Sequence, residues 1–361
     1  MTKIIRIQPG MLCNVAAEVP TALTGVLDKH WLSTVLAPLS GGAKIATLEL
    51  QDVVKAMASK VRIKVSFENK PDDFYPLCIK GFLDFDLGSG GDITTFREAG
   101  FYSEIAPHLD MVVPPCAAVV RDQVNKRCVI IMADLIDEEA HFFNALEPFN
   151  SDQVTETLDQ LARLHARPEL LQGQDWLPSR ISDLAEKESI YPWSKIQNLM
   201  RDERSLGLPA ATTDAENLKL GIEALAAMLA VHPSTILHGD CHPGNVYRLK
   251  SGALGFTDWQ LVQKGHWSLD VAYHIAASLP VDLAEREERN LLNHYLDAVA
   301  QYGGRRIPQN YAWDLYRCAP IYGYYHWAIT QRVAPPITKQ AFQRLGAAVT
   351  RHESYQRLGI R

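Results

Sequence analysis

The sequence predicts an α+β protein in two parts: a small antiparallel sheet with one helix packed on it, and a larger, mainly helical remainder. Three observations carry that expectation. Apolar and polar residues alternate over short runs between residues 45 and 132, as they do in half-buried strands. Beyond Pro148 the apolar spacing changes to the three-and-four rhythm of helices. The chain has 361 residues, 47% hydrophobic and 22% charged, which is enough to bury a core and ordinary for a globular protein.

An amphipathic helix over about Leu23 to Leu36 comes first and is expected to stop before Pro38. Strands follow at Ile45 to Leu50 and Val61 to Phe67, with a third at Leu77 to Phe82 after Pro76. Asp92 to Ile105 reads as a helix ended by Pro107. Ala117 to Arg121 and Arg127 to Met132 are two more strands, joined by a turn at Asn125. Three strands, a helix and two strands make one antiparallel sheet.

In the second part, Ser151 is placed to cap a helix reaching about His165, with leucines at 158, 161 and 164. Thr213-x-x-Glu216 has the spacing of a capping box, before a helix ending near His232-Pro233. A short apolar strand leads into His238, and a hairpin of Asn245–Leu249 and Leu254–Thr257 turns at Ser251-Gly252. Helices fill the rest, at about Ser268 to Leu279, Leu283 to Ala300, Trp313 to Arg332 and Thr338 to His352. The expected division is 1–135 and 136–361, and such junctions are where ligand clefts form.

Composition removes several function classes. A net charge of −6 lacks the basic excess that nucleic acid demands. No uncharged apolar run approaches the roughly 20 residues of a membrane helix. The opening stretch, interrupted by Lys3 and Arg6 before Pro9-Gly10, is not a basic-then-apolar leader. The expectation is a soluble cytoplasmic protein. Its six cysteines (Cys13, Cys78, Cys116, Cys128, Cys241 and Cys318) are scattered without a C-x-x-C pair, which disfavours zinc or dithiol chemistry and fits free thiols.

The chemistry is concentrated in His238-Gly-Asp-Cys-His-Pro-Gly-Asn245, followed by Phe256-Thr-Asp258-Trp-Gln260. Four residues separate Asp240 from Asn245, and Asp258 follows one hairpin later. A kinase catalytic loop spaces its base aspartate and metal-binding asparagine in this way, and its next strand pair ends in a metal-binding aspartate. Phosphoryl transfer explains the residue types. The acceptor hydroxyl needs an oriented carboxylate, and the triphosphate needs Mg²⁺ held by hard oxygens.

These residues resemble the aminoglycoside phosphotransferase family, most closely its choline- and ecdysteroid-kinase-like branch, over most of the chain. The resemblance implies a bilobal protein-kinase-like fold and a kinase acting on a small-molecule hydroxyl, with ATP as donor, GTP as an alternative, and Mg²⁺. Asp240 is then the catalytic base, and Asn245 and Asp258 hold the metal. Lys80, in Leu-Cys-Ile-Lys-Gly-Phe, is similar to the family's phosphate-binding lysine, and Glu98 to the helix glutamate that pairs with it. Met132-Ala133-Asp134-Leu135 resembles the hinge, where Ala133 and Leu135 would meet adenine. Leu161-Ala-Arg-Leu-His165 is similar to a leucine-histidine motif. Asp270 matches an aspartate that braces the catalytic loop through its backbone.

Two departures stand out. The family's phosphate-covering turn should lie at Asp52 to Lys60, which contains no glycine, and the alternative loop Ser40-Gly41-Gly42 comes one strand too early. Trp259-Gln260 replaces Phe-Gly, as in the small-molecule branch, and no Ala-Pro-Glu segment follows.

Plainer readings compete at several positions. His238 reads as a brace for the loop rather than a proton carrier, Lys64 is a rival strand lysine, and Glu98 could be a solvated helix charge. Two other functions are open. One is a metal-dependent hydrolase using His238, Asp240 and His242, with His266 and Asp270 as later ligands. The other is a non-catalytic kinase-like binding module.

The acceptor is expected from residues 281–361, which hold seven acidic residues against eleven Lys or Arg. They also carry an aromatic set on one expected helix: Trp313, Tyr316, Tyr322, Tyr324, Tyr325, His326 and Trp327. About half of these rings are expected in the core. The balance favours a neutral or anionic hydrophobic alcohol over a polycationic aminoglycoside.

Overall fold

The structure is a computed structural model that describes residues 3–7, 13–55, 58–84, 93–186 and 189–360. The chain divides into two compact units. One is Met1–His141 with Arg248–Ala253 and Thr257–Leu261; the other is Phe142–Tyr247 with Leu254–Phe256 and Val262–Arg361. The division thus falls after His141 rather than after Leu135, and Asp258 belongs with the first unit.

The first unit is built on one sheet. Its strands are β1 (Lys3–Ile4), β2 (Cys13–Asn14), β3 (Ile45–Lys55), β4 (Ser59–Phe67), β5 (Lys70–Gly81), β6 (Cys116–Asp122) and β7 (Arg127–Ala133), in the order β2-β6-β7-β5-β4-β3. The five longer strands pair antiparallel. The short β1 and β2 add parallel to β5 and β6, an addition that two-residue strands do not announce in sequence. Alternation sends Val61, Ile63 and Val65 of β4 into the same core as Leu77 and Ile79 of β5.

The expected opening helix is three short ones, α1 (Leu23–Val26), α2 (Lys29–Val35) and α3 (Ala37–Ser40). Asp28 breaks it by accepting from the Trp31 N–H and capping a fresh start, and Pro38 sits in the first turn of α3 rather than beyond the end. β5 runs through Pro76 because its second neighbour, β7, pairs only from Leu77 onward. Of the expected helix at Asp92 to Ile105, Asp92 lies outside the described residues. The rest is α4 (Ile93–Gly100), widened into a π-turn over Phe101–Ile105.

In the second unit α5 (Ser151–His165) is capped by Asn150 in a reciprocal box with Gln153, one residue before the expected cap. Two further helices, α6 (Arg180–Glu186) and α7 (Trp193–Met200), add to the expected elements. Asp214, not Thr213, caps α8 (Ala215–Leu229), because its carboxylate reaches the N–H groups of Glu216 and Asn217. The hairpin is β10 (Val246–Arg248) and β11 (Leu254–Phe256), with β8 (His141–Phe142) beside β10; β9 (Thr235–Leu237) pairs with β12 (Gln263–Gly265). The remaining helices are α9 (Ser268–Ser278), α10 (Val281–Gln301), α11 (Gln309–Cys318), α12 (Pro320–Ile329), α13 (Pro335–Arg351) and α14 (Ser354–Arg357). Pro320 splits the expected helix Trp313 to Arg332 and opens α12, since a proline has no N–H to continue α11. The aromatic set is therefore spread over two helices. No helix among the described residues is long and apolar enough to cross a membrane.

Candidate active site

In the first unit, Lys80 stands on β5 in register with Ile130 of β7, and its side chain is buried. Nζ lies 2.7 Å from Glu98 Oε2 and 3.0 Å from Asp258 Oδ1. Burial works against a charge on the lysine, but the carboxylates of Asp258 and Glu98 outweigh it and raise its pKa. Burial also pushes the Glu98 carboxyl up, against the pull of Lys80. Glu98 is thus no solvated helix charge. The rival Lys64 lies elsewhere, in a pair with Asp137 at 2.6 Å that solvent reaches.

Asp258 stands at φ +63°, the left-handed region that few residues other than glycine adopt. A backbone held there needs support, and the next two residues supply it. Trp259 stacks flat on Phe101, with centroids 3.6 Å apart and planes 8° apart. Gln260 Nε2 donates to Thr95 Oγ1 at 3.4 Å. Thr95 and Phe101 flank Glu98 on one helical run, so the Trp259-Gln260 pair ties the Asp258 turn to the helix that carries Glu98.

The residues expected to form a hinge are closely engaged. The Ala133 N–H donates to the Pro115 carbonyl at 2.8 Å, and the Leu135 carbonyl accepts the Ala140 N–H at 2.9 Å. Between them Asp134 is buried against Arg62, at 2.8 Å. A base read at this hinge must therefore use backbone groups other than those two. β3 and β4 run longer than expected and leave only residues 56–58 for the covering turn, of which 56 and 57 lie outside the described residues. Ser40-Gly41-Gly42 is the stop of α3, with Ser40 Oγ donating to the Ala43 carbonyl at 2.9 Å.

In the second unit, β9 delivers the chain to His238, and the loop is gripped from below by α9. Asp270, fully buried, accepts from the His238 N–H at 2.7 Å and the Gly239 N–H at 2.9 Å. Gly239 has φ +82°, which lets both N–H groups face one carboxylate. His165 Nε2 lies 3.3 Å from Asp270 Oδ2, and the Cys241 thiol donates to the Asp270 carbonyl at 3.1 Å. Burial, with Asp270 beside it, pushes that thiol well above its usual range, which removes Cys241 as a nucleophile.

Asp240 is oriented on both oxygens. Tyr273 OH donates to Oδ1 at 2.9 Å, and Trp327 Nε1 donates to the Tyr273 oxygen at 2.9 Å. Asn245 Nδ2 donates to the Asp240 carbonyl at 2.8 Å and to Oδ2 at 3.3 Å, so its own oxygen is the atom suited to a cation. Burial opposes the charge on Asp240, but His242, His326 and His238 hold its carboxyl well below the usual range. The side chain stays 26% exposed, enough for a substrate hydroxyl to reach it. Burial, then Asp240, pushes Tyr273 well above its usual value, so the phenol remains a donor. A Cβ on Gly323 of α12 would stand 2.4 Å from the Tyr273 ring, so only glycine lets the tyrosine sit there.

Tyr273 is not among the residues expected at the site. Its signal was present: it follows Asp270 by three residues, one helical turn along the same face. The hydrolase alternative loses its ligands. The Asp240 N–H donates to His238 Nδ1 at 3.2 Å, and the Gly244 N–H donates to His242 Nδ1 at 3.0 Å. Among the described residues, no three His, Cys, Asp or Glu side chains converge as the ligands of a metal do.

The sequence profile of the phosphotransferase enzyme family matches residues 91–307. None of the curated proteins matches the chain. Among solved structures it is similar to a Plasmodium vivax ethanolamine kinase, at 13% identity over 83% of this chain and 81% of that one, with a TM-score of 0.49. A choline kinase from Streptococcus pneumoniae is similar at 12% identity over 85% and 94%, with a TM-score of 0.47. A macrolide 2′-phosphotransferase from Brachybacterium faecium is similar at 16% identity over 90% and 97%, with a TM-score of 0.44.

Proposed function

This chain belongs to the phosphotransferase enzyme family, and from that premise we propose that it moves the γ-phosphoryl group of ATP, with Mg²⁺, to a hydroxyl of a small molecule. The observation that carries this reading is the Asp240 carboxylate: charged, a quarter exposed, and fixed by Tyr273 and Asn245. A base must be ionised and aimed before it can take a proton, and Asp240 meets both conditions. In this proposal it orients the acceptor hydroxyl and accepts its proton as the oxygen–phosphorus bond forms.

Asn245 and Asp258 offer the hard oxygens that suit Mg²⁺, which when bound would neutralise charge on the transferred group. Lys80 takes the phosphates next to the leaving oxygen, and Glu98 keeps its ammonium in place. The hinge from Ala133 to Leu135 reads the base.

For the acceptor we favour a neutral or anionic alcohol with an apolar body. The support is the charge balance of residues 281–361 and the rings that gather at Asp240. The aromatic set itself is more deeply core than the expected half: of its seven rings only Trp313 escapes burial. Trp327 reaches the Asp240 cluster through Tyr273, and His242 meets Trp327 edge to face at 5.1 Å.

The test is ADP release across alcohols, amino alcohols, sugars, sterols and hydroxyacyl thioesters, with Asp240→Asn as the blank. An acceptor whose turnover vanishes in the blank supports the proposal. Turnover that survives Asp240→Asn removes Asp240 as the base, and efficient turnover of kanamycin-like substrates alone removes the apolar acceptor.

A further inference from the structure

The second unit holds a cavity of about 400 Å³ that none of Asp240, Asn245 or Tyr273 lines. That volume is in the range of small-molecule sites. Its walls are rich in rings. Trp267 and Tyr295 face each other at 5.4 Å, Tyr311 meets His232 at 5.8 Å, and His232 lies 5.3 Å from His266. The polar groups on the lining have one sign: no Asp or Glu is among them, and Arg305 is exposed and makes no ion pair with the described residues. His266 adds a polar ring, with Nδ1 2.8 Å from Ser268 Oγ and 3.4 Å from the Ser268 nitrogen. Burial, then His232 and His165, pushes that ring's pKa down to about 3, so it stays uncharged.

We propose that this cavity is an effector site for a small aromatic carboxylate, distinct from the Asp240 site. Ring walls suit a planar apolar body, and a cation with donors and no carboxylate suits an anionic head.

The wall is also wired to the catalytic loop. His165 lines the cavity, with Nδ1 2.8 Å from Tyr295 OH and Nε2 3.3 Å from Asp270 Oδ2. Asp270 is the group that grips the His238 and Gly239 N–H groups. Thr235, another lining residue, donates to the His165 carbonyl at 2.9 Å and begins β9, which leads into His238. A ligand that fixes Tyr295 and His165 therefore stiffens the loop carrying Asp240.

The probe is 1-naphthoate, with 1-naphthalenemethanol as its uncharged counterpart, measured by calorimetry on the full chain without nucleotide. Naphthoate is expected to bind. Arg305→Glu should weaken naphthoate by about tenfold by replacing attraction with repulsion, and leave the alcohol unchanged. Tyr311→Ala should weaken both. Both residues are exposed, so these variants keep the fold, and melting curves check this. Hydrogen exchange over residues 236–241 should slow when naphthoate is bound. Absence of binding at millimolar probe, or equal binding to Arg305→Glu, overturns the site; binding with unchanged loop exchange overturns its effector role. Neither readout uses ATP or turnover, so failure here is distinct from failure of the kinase proposal.

Discussion

Lys80 is held by opposite charges on Glu98 and Asp258, whereas Asp240 is held by the neutral donors Tyr273 and Asn245 on a loop that Asp270 grips through backbone N–H groups. The difference bears on function. An arriving cation or phosphate competes directly for the partners of a charge network, so the Lys80 cluster is built to be repartitioned. Tyr273 and Asn245 are neutral, and His242, 3.6 Å from Oδ2, is a cation only when protonated, so the carboxylate proposed as the base is aimed without a permanent counter-charge. One half is set up to exchange partners with a ligand, and the other to stay as it is.

The strongest way to break this comparison is at the base. Asp240→Asn keeps the shape and removes the proton acceptor, so turnover should fall by roughly 10²–10⁴ with nucleotide affinity little changed. Steady-state kinetics beside nucleotide titration would show both.

Removing Lys80 tests the charged half. Lys80→Ala strands a buried Glu98 without its cation, which should cost about 3–5 kcal/mol in urea unfolding. The Lys80→Met/Glu98→Gln double variant should recover much of that loss. A neutral Lys80→Ala would mean that the pair does not hold the unit together.

Ligand linkage comes next. Mg-ATP at about a hundred times its dissociation constant should stabilise the fold by roughly 2.7 kcal/mol. Asp258→Ala should abolish the Mg²⁺-dependent part of that shift. A melting curve indifferent to Mg-ATP in folded protein would falsify the kinase proposal.

Tyr273→Phe deletes one donor to a charged oxygen, worth about 1.5 kcal/mol, so kcat should drop by about tenfold while KM holds. Without that donor the carboxyl of Asp240 should rise, moving the acid limb of the kcat profile to higher pH, which a merely structural tyrosine would not do. Gly323→Ala, by displacing the ring, should reproduce both changes.

The remaining prediction is a pH trend. Burial first of all holds His266 at about 3, His274 at about 4 and His326 at about 3, below the ordinary histidine value of 6.5. All three lie in the second unit. The unfolded chain therefore binds protons that the folded one refuses. Their contribution to stability is complete above the ordinary value and is lost as pH falls toward about 4 and then 3. Hydrogen-exchange protection, taken relative to the intrinsic rate at each pH, should fall first in the second unit between pH 7 and pH 4.5.

By itself the sequence determined the reaction class and most of the elements. Asp240, Asn245 and Asp258 have the spacing of a phosphotransfer loop, and that spacing is local, set by one turn and one hairpin. Strand alternation and helix period are local too, which is why β6, β7, α5 and α10 were legible to within a few residues. The caps lie one residue away from the expected positions, at Asn150 and Asp214, because neighbouring polar side chains compete for the same N–H groups and the folded backbone decides which of them reaches.

Tertiary structure decided everything that depends on distant partners. It put Lys80, and not Lys64, against Glu98 and Asp258. It placed Tyr273 against Asp240, which required a glycine on another helix, at position 323, and a Trp327 donor behind the hydroxyl. It put six of the seven aromatic side chains in the core, because their packing is settled by which helices meet. A periodic pattern encodes which face of an element is apolar; what that face meets is a property of the folded chain alone.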